Sequence, residues 1–202
     1  MLNTQLSPSF NLKFSGMVGT VQRYSVTNDD IDMLGKKTQL PTKNRNYCIF
    51  NEELVDKLVE HAESSTPLIL KKLQNTKDEK TITESLYTFD KMIEAKKFDI
   101  NQAYPTLSKL NNTKSPNVQV FLSGIYRKTQ PPDAFGPLCS MLIQNSKFPP
   151  MVYFDPNEEI GGAILDYIRK PLSKEVSTKT TEYISQLNSA QAQKSYKYTK
   201  SS

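Results

Sequence analysis

A phrase that returns three times along the middle of the chain constrains its fold more than any other feature. Leu70-Lys71-Lys72-Leu73-Gln74-Asn75-Thr76-Lys77 recurs as Leu107-Ser108-Lys109-Leu110-Asn111-Asn112-Thr113-Lys114, and more loosely over 138–147, which ends Gln144-Asn145-Ser146-Lys147. A second phrase follows each copy: Leu86-Tyr87-Thr88-Phe89-Asp90-Lys91, then Leu122-Ser123-Gly124-Ile125-Tyr126-Arg127-Lys128, then Leu165-Asp166-Tyr167-Ile168-Arg169-Lys170. A period of roughly 30 to 45 residues marks supersecondary units that stack on one another, because a lone unit cannot bury its apolar face.

The punctuation between phrases predicts two helices per unit. Pro67, Pro105 and Pro137 are each expected to open a first helix, with Thr66 as the cap before Pro67. Ser115-Pro116 and Asp155-Pro156 are expected to open the second helices of units two and three, Asp155 and Glu158 forming a capping box. Asp78 or Thr76 serves the same end in unit one. The second-helix apolar stripes read Ile82, Leu86, Phe89, Ile93; then Val118, Leu122, Ile125; then Ile160, Ile164, Leu165, Ile168. A preceding helix is signalled by Leu54, Val55, Leu58, Val59 and Ala62, and a following one by Val176, Tyr183, Ile184 and Leu187.

These features resemble the HEAT and armadillo class of helical repeat over about residues 67–170. The Leu-x-x-Leu first helices carry the likeness, with the Ser115-Pro116-Asn117 and Asp155-Pro156-Asn157 openings that look like that family's Asp-Pro. The resemblance implies an all-α fold: a short right-handed α-solenoid of about three helical hairpins with end caps. The helical-repeat domain is expected over 46–187, after a flexible leader at 1–45 and before a disordered tail at 188–202. Within the leader, the apolar fragments 10–14 and 17–21 leave a second possibility open, an extended segment docked on the repeats or on a partner.

Charge bears on the partner. The net charge of +5 is unevenly placed: residues 1–50 hold six Lys/Arg against three acids, 51–170 hold fifteen against sixteen, and 171–202 hold five against two. A fold that binds a phosphate backbone concentrates basic charge on itself, so nucleic acid is a possible partner but not the favoured one. No run approaches the ~20 apolar residues of a membrane-spanning helix. The first residues lack the basic start and apolar stretch of a secretory signal, which makes the cytoplasm the expected compartment. Cys48 and Cys139 read as neutral thiols in a reducing environment.

Catalytic signatures are missing from the sequence: it has no GxGxxG, Walker loop, GxSxG or HExxH, and His61 is its single histidine. No catalytic residue, cofactor or metal ligand is therefore expected, and an enzyme of unrecognised type ranks third among the readings. The expected function is a non-enzymatic adaptor that holds a protein or peptide partner. Its candidate contacts are Lys91, Arg127, Lys128, Arg169 and Lys170, which recur at second-helix ends, with Tyr126 and Tyr167 beside them. Positive charge at a helix C-terminus also stabilises the helix, so a purely structural role competes with the binding ladder. Phe148, Met151, Tyr153 and Phe154 form a second candidate, an apolar loop that either covers the core or faces a partner. The Gly161-Gly162 pair is expected to allow close helix packing.

Overall fold

The computed structural model describes residues 25–147 and 155–200, side chains from 189 onward excepted. Nine α-helices and no β-strand occur among the described residues: α1 Asn28–Asp32, α2 Glu52–Glu60, α3 Ala62–Asn75, α4 Glu79–Glu94, α5 Ile100–Leu107, α6 Pro116–Thr129, α7 Phe135–Asn145, α8 Pro156–Arg169 and α9 Lys174–Lys200. A 3-10 turn, Ser108–Leu110, extends α5. The expected 10–14 and 17–21 fragments lie outside the described residues.

Second helices open as their caps predict. Asp78 accepts from the Thr81 N–H at 2.9 Å, Ser115 from Val118 at 3.2 Å, and Asp155 from Asn157 at 2.9 Å. Asp155 thus caps two residues ahead instead of forming the expected box with Glu158. First helices open earlier than expected. Pro67 and Pro105 each stand sixth in α3 and α5, and Pro137 stands third in α7. A proline so placed gives up at most one i→i−4 bond, which a packed helix tolerates. Thr66 is accordingly not a cap but a buried side chain whose hydroxyl contacts the Met92 sulfur at 3.5 Å. The break between α2 and α3 falls at His61, where the Ser65 hydroxyl donates to the Leu58 carbonyl at 2.7 Å and fixes the corner.

The longer helices pack in a regular order. α2 packs on α4, α4 on α6 and α6 on α8, while α3 packs on α5 and α7 on α9; α3 and α7 also pack on the helices that follow them. One apolar cluster runs through all of them, including Leu58, Ile69, Leu86, Phe89, Leu107, Leu122, Ile125, Leu138 and Ile160. Burial of such side chains is the main stabilising term. The α8 stripe departs from expectation: Ile160, Ala163 and Tyr167 face inward, whereas Leu165 is 45% exposed and Ile168 49%. Arg127 of α6 pairs with Glu159 and Asp166 of α8, on a different face of α8 from Leu165 and Ile168.

The folded region begins upstream of residue 46. Val26, Ile31 and Leu34 are buried in the same core, so residues 25–45 are not a loose leader. Glu84, wholly buried on α4, accepts the Gly35 N–H at 2.5 Å and the Asn51 N–H at 2.8 Å, and the Thr81 hydroxyl donates to the Leu34 carbonyl at 3.2 Å. Gly35 has φ +82°, and a Cβ there would stand 2.6 Å from the Thr81 nitrogen. Only glycine suits both the backbone and the contact. At the other end, α9 continues to Lys200 through the segment expected to be a tail. Val176 is buried, Tyr183 and Ile184 pack on the core, and Leu187 is exposed.

Candidate protein-binding surface

The recurring cations do lie at the ends of α4, α6 and α8, but most are engaged within the molecule. Lys128 donates to Asp90 at 2.7 Å and Glu94 at 3.2 Å on α4. Arg127 meets Asp166 at 2.6 Å and Glu159 at 3.5 Å on α8, and Lys91 pairs with Glu94 at 3.0 Å. Hydrogen bonds from Lys91 and Lys128 hold Glu94 below the usual carboxylate range, and the bond from Arg127 does the same for Asp166. Arg169 and Lys170 are exposed, with no ion pair among the described residues.

Tyr126 and Tyr167 are corrected outright. They are 0% and 1% exposed, and their hydroxyls donate to the Asn111 side-chain oxygen at 2.9 Å and the Pro131 carbonyl at 2.8 Å. Burial pushes both phenols well above their ordinary range. They are core residues with satisfied hydroxyls and no outward ring face. Phe148, Met151, Tyr153 and Phe154 lie outside the described residues.

A surface the sequence reading missed sits at the α2, α4 and α6 side. Phe50 stacks on Tyr87 with centroids 4.1 Å apart, and Phe121 meets both edge-on at 5.6 and 5.9 Å. All three rings are half-buried. The Tyr87 hydroxyl donates to Glu52 at 3.2 Å, and the Lys91 ammonium lies 5.5 Å from the Tyr87 ring centre. The available signal was the adjacency of each aromatic to an inward leucine in Leu86-Tyr87 and Phe121-Leu122. Neighbours of buried helix positions lie on the flanks, where adjacent helices bring them together.

Other chemistry-bearing groups are tied into the fold. A cleft of about 830 Å³ is bounded by His61, Glu63, Lys97, Asp99 and Gln102. Across it Lys97 donates to the carbonyls of Val59 and Glu60 at 3.3 and 3.1 Å, closing the α2 C-terminus. Cys48 and Cys139 are free; burial raises both thiols, Cys48 to about 11, so both are protonated at neutral pH. Among the described residues no group of three or more His, Cys, Asp or Glu is placed to hold a metal ion, and no helix is long and apolar enough to cross a membrane. Gly162 permits a close approach, since a Cβ there would stand 2.9 Å from the Arg127 guanidinium; Gly161 faces open space.

No protein-family model matches the chain, and neither does any curated protein or solved structure compared with it.

Proposed function

We propose that this chain is a non-enzymatic protein-binding adaptor built as a short right-handed α-solenoid of the HEAT/armadillo kind. The neighbour pattern supports the architecture: α2, α4, α6 and α8 pack in succession, and α3 and α7 pack on the helices that follow them. The single observation that carries the binding reading is the half-exposed trio Phe50, Tyr87 and Phe121, with Glu52 and Lys91 against the Tyr87 ring. Rigid aromatic anchors beside groups of both charge signs suit a protein or peptide chain.

The nucleic-acid reading loses ground on the same face. Lys91, Arg127 and Lys128 each face a carboxylate, so phosphate would have to displace an existing pair. Two free, protonated thiols are in keeping with a reducing cytoplasm.

Quantitative affinity capture with the full chain tests the reading, comparing wild type with Phe50→Ala/Tyr87→Ala. A partner enriched by wild type and lost by the variant, with helical circular dichroism retained, supports the trio as the contact. Equal capture by both removes the trio. Tight binding of a labelled oligonucleotide that falls steeply with salt would replace the adaptor reading with the nucleic-acid one.

A further inference from the structure

α8 carries an outward stripe that the other described residues leave exposed. Glu159, Gly162 and Asp166 face α6, and Ile160, Ala163 and Tyr167 face the core. About a quarter-turn round the helix from the α6 side lie Glu158, Gly161, Leu165, Ile168 and Arg169. Leu165 and Ile168 are the exposed apolar residues of the helix, and Leu172, just past its end, is 64% exposed. Leu172 is presented firmly, because its N–H donates to the buried Gln130 side chain at 2.7 Å. A methyl group at Gly161 would meet no atom within 4 Å. Glu158 and Arg169 are exposed at opposite ends of the stripe, and no ion pair engages either among the described residues.

We propose that this stripe is a self-association surface, on which two copies of the chain pair through antiparallel α8 helices about a two-fold axis beside Leu165. The stripe is complementary to itself in shape and in charge. With the axis there, Ile168 of each copy enters the open space over Gly161 of the other, and the two Leu165 side chains meet at the centre. Glu158 of each copy then lies within a turn of Arg169 on the other. A residue that contacts its complement reciprocally is what an isologous interface requires. A parallel arrangement would set Glu158 against Glu158 and Arg169 against Arg169, so charge selects the antiparallel one. The small-against-large contact lets the backbones approach closely, as ridges and grooves demand. The stripe from Glu158 to Arg169 is about 16 Å long. An interface that small sits at the weak end of specific association, in roughly the tens-of-micromolar range.

Sedimentation velocity on the full chain, from about 1 to about 300 µM, reads the monomer–dimer equilibrium. The expected result is a dimer that Leu165→Glu weakens at least about tenfold, equal to 1.4 kcal/mol or more. Gly161→Leu is the second variant: it fills the pocket for Ile168 without removing any packed side chain, so it weakens the dimer while the melting temperature holds or rises. Glu158→Arg and Arg169→Glu each weaken association, and the doubly swapped chain recovers it. A chain that stays monomeric across the range overturns the proposal, and so does a dimer indifferent to Leu165→Glu and Gly161→Leu. Failure here leaves the aromatic trio untouched, since that test reads partner capture on α4 and α6.

Discussion

Replacing Glu84 should detach the first described segment from the repeats without unfolding them. Its carboxylate is wholly buried and takes the Gly35 and Asn51 N–H groups, 49 and 33 residues away along the chain. Glu84→Ala leaves two backbone donors without a partner, each costing about 1–3 kcal/mol, so a loss near 4 kcal/mol is expected. For a domain of this size that lowers the melting temperature by about 8–16 °C. Glu84→Gln keeps the volume and one acceptor but turns an N–H donor toward a donor, so its cost is about half. Gly35→Ala attacks the same contact from the other side, through its φ of +82° and the 2.6 Å approach to Thr81. Because both changes release one docked segment, the double variant should cost little more than the worse single one. Hydrogen exchange supplies the second readout: amides over 31–49 should lose protection while those of α6 and α8 keep it. Fully additive losses, or uniform loss of protection, would refute the claim that Glu84 acts as the clamp of this segment.

Three further outcomes are expected. Tyr126→Phe and Tyr167→Phe should each cost about 0.5–1.5 kcal/mol in denaturant melts, through Asn111 and Pro131, and should leave partner capture unchanged. Gly161→Ala should stabilise the monomer by up to about 1 kcal/mol through helix propensity, whereas Gly162→Ala should gain less, because its methyl group meets the Arg127 guanidinium; equal gains in thermal melts would contradict the close contact. Stability should hold from neutrality to about pH 5 and fall below it: Asp166, Glu94, Asp30 and Asp78 are held under their ordinary values of 3.8 to 4.5 by Arg127, Lys91, Lys57 and Thr81, so the stability they contribute is lost as pH drops through that range to the lower folded values. A melting temperature that rises on acidification would contradict these pairings.

The second helices are legible in the sequence because their signals are local. Asp78, Ser115 and Asp155 need only the next turn to act as caps, and Leu86, Leu122 and Ile125 need only a period of 3.6 to mark a buried face. The first helices mislead because proline is read as a boundary, and Pro67 and Pro105 sit inside helices whose packing outweighs one forgone hydrogen bond. Residues 25–45 mislead for another reason. Val26, Ile31 and Leu34 form no periodic run, and what seats them is Glu84, whose burial no neighbouring residue announces. On α8 the reading is right for Ile160 and Ile164 and wrong for Leu165 and Ile168: they look inward by composition, whereas the buried face runs through Ala163 and Tyr167, with the Tyr167 hydroxyl satisfied by Pro131.

The pairing of Arg127 with Asp166 points to what separates this fold from a row of amphipathic helices in arbitrary register. Several of its long-range polar contacts span similar distances along the chain. Lys128 to Asp90 covers 38 residues, Arg127 to Asp166 covers 39, Ser115 to Glu79 covers 36, Tyr167 to Pro131 covers 36, and Gln74 to Thr106 covers 32. Each is about one repeat. Read unit by unit, Lys91, Arg127, Lys128, Arg169 and Lys170 resemble a ladder awaiting an acidic partner; Arg127 and Lys128 already have theirs about one period away, and Lys91 has its own in Glu94 on the same helix. Individually such half-exposed pairs contribute little, about 0–1 kcal/mol each. Their effect is on register: an apolar face tolerates a slip of one turn, about 5.4 Å, whereas a slip of that size parts every one of these contacts together. Among the described residues Arg169 and Lys170 enter no ion pair, and the exposed Leu165 and Ile168 lie on the same last helix of the succession α2, α4, α6 and α8, whereas the Phe50 trio lies along the first three.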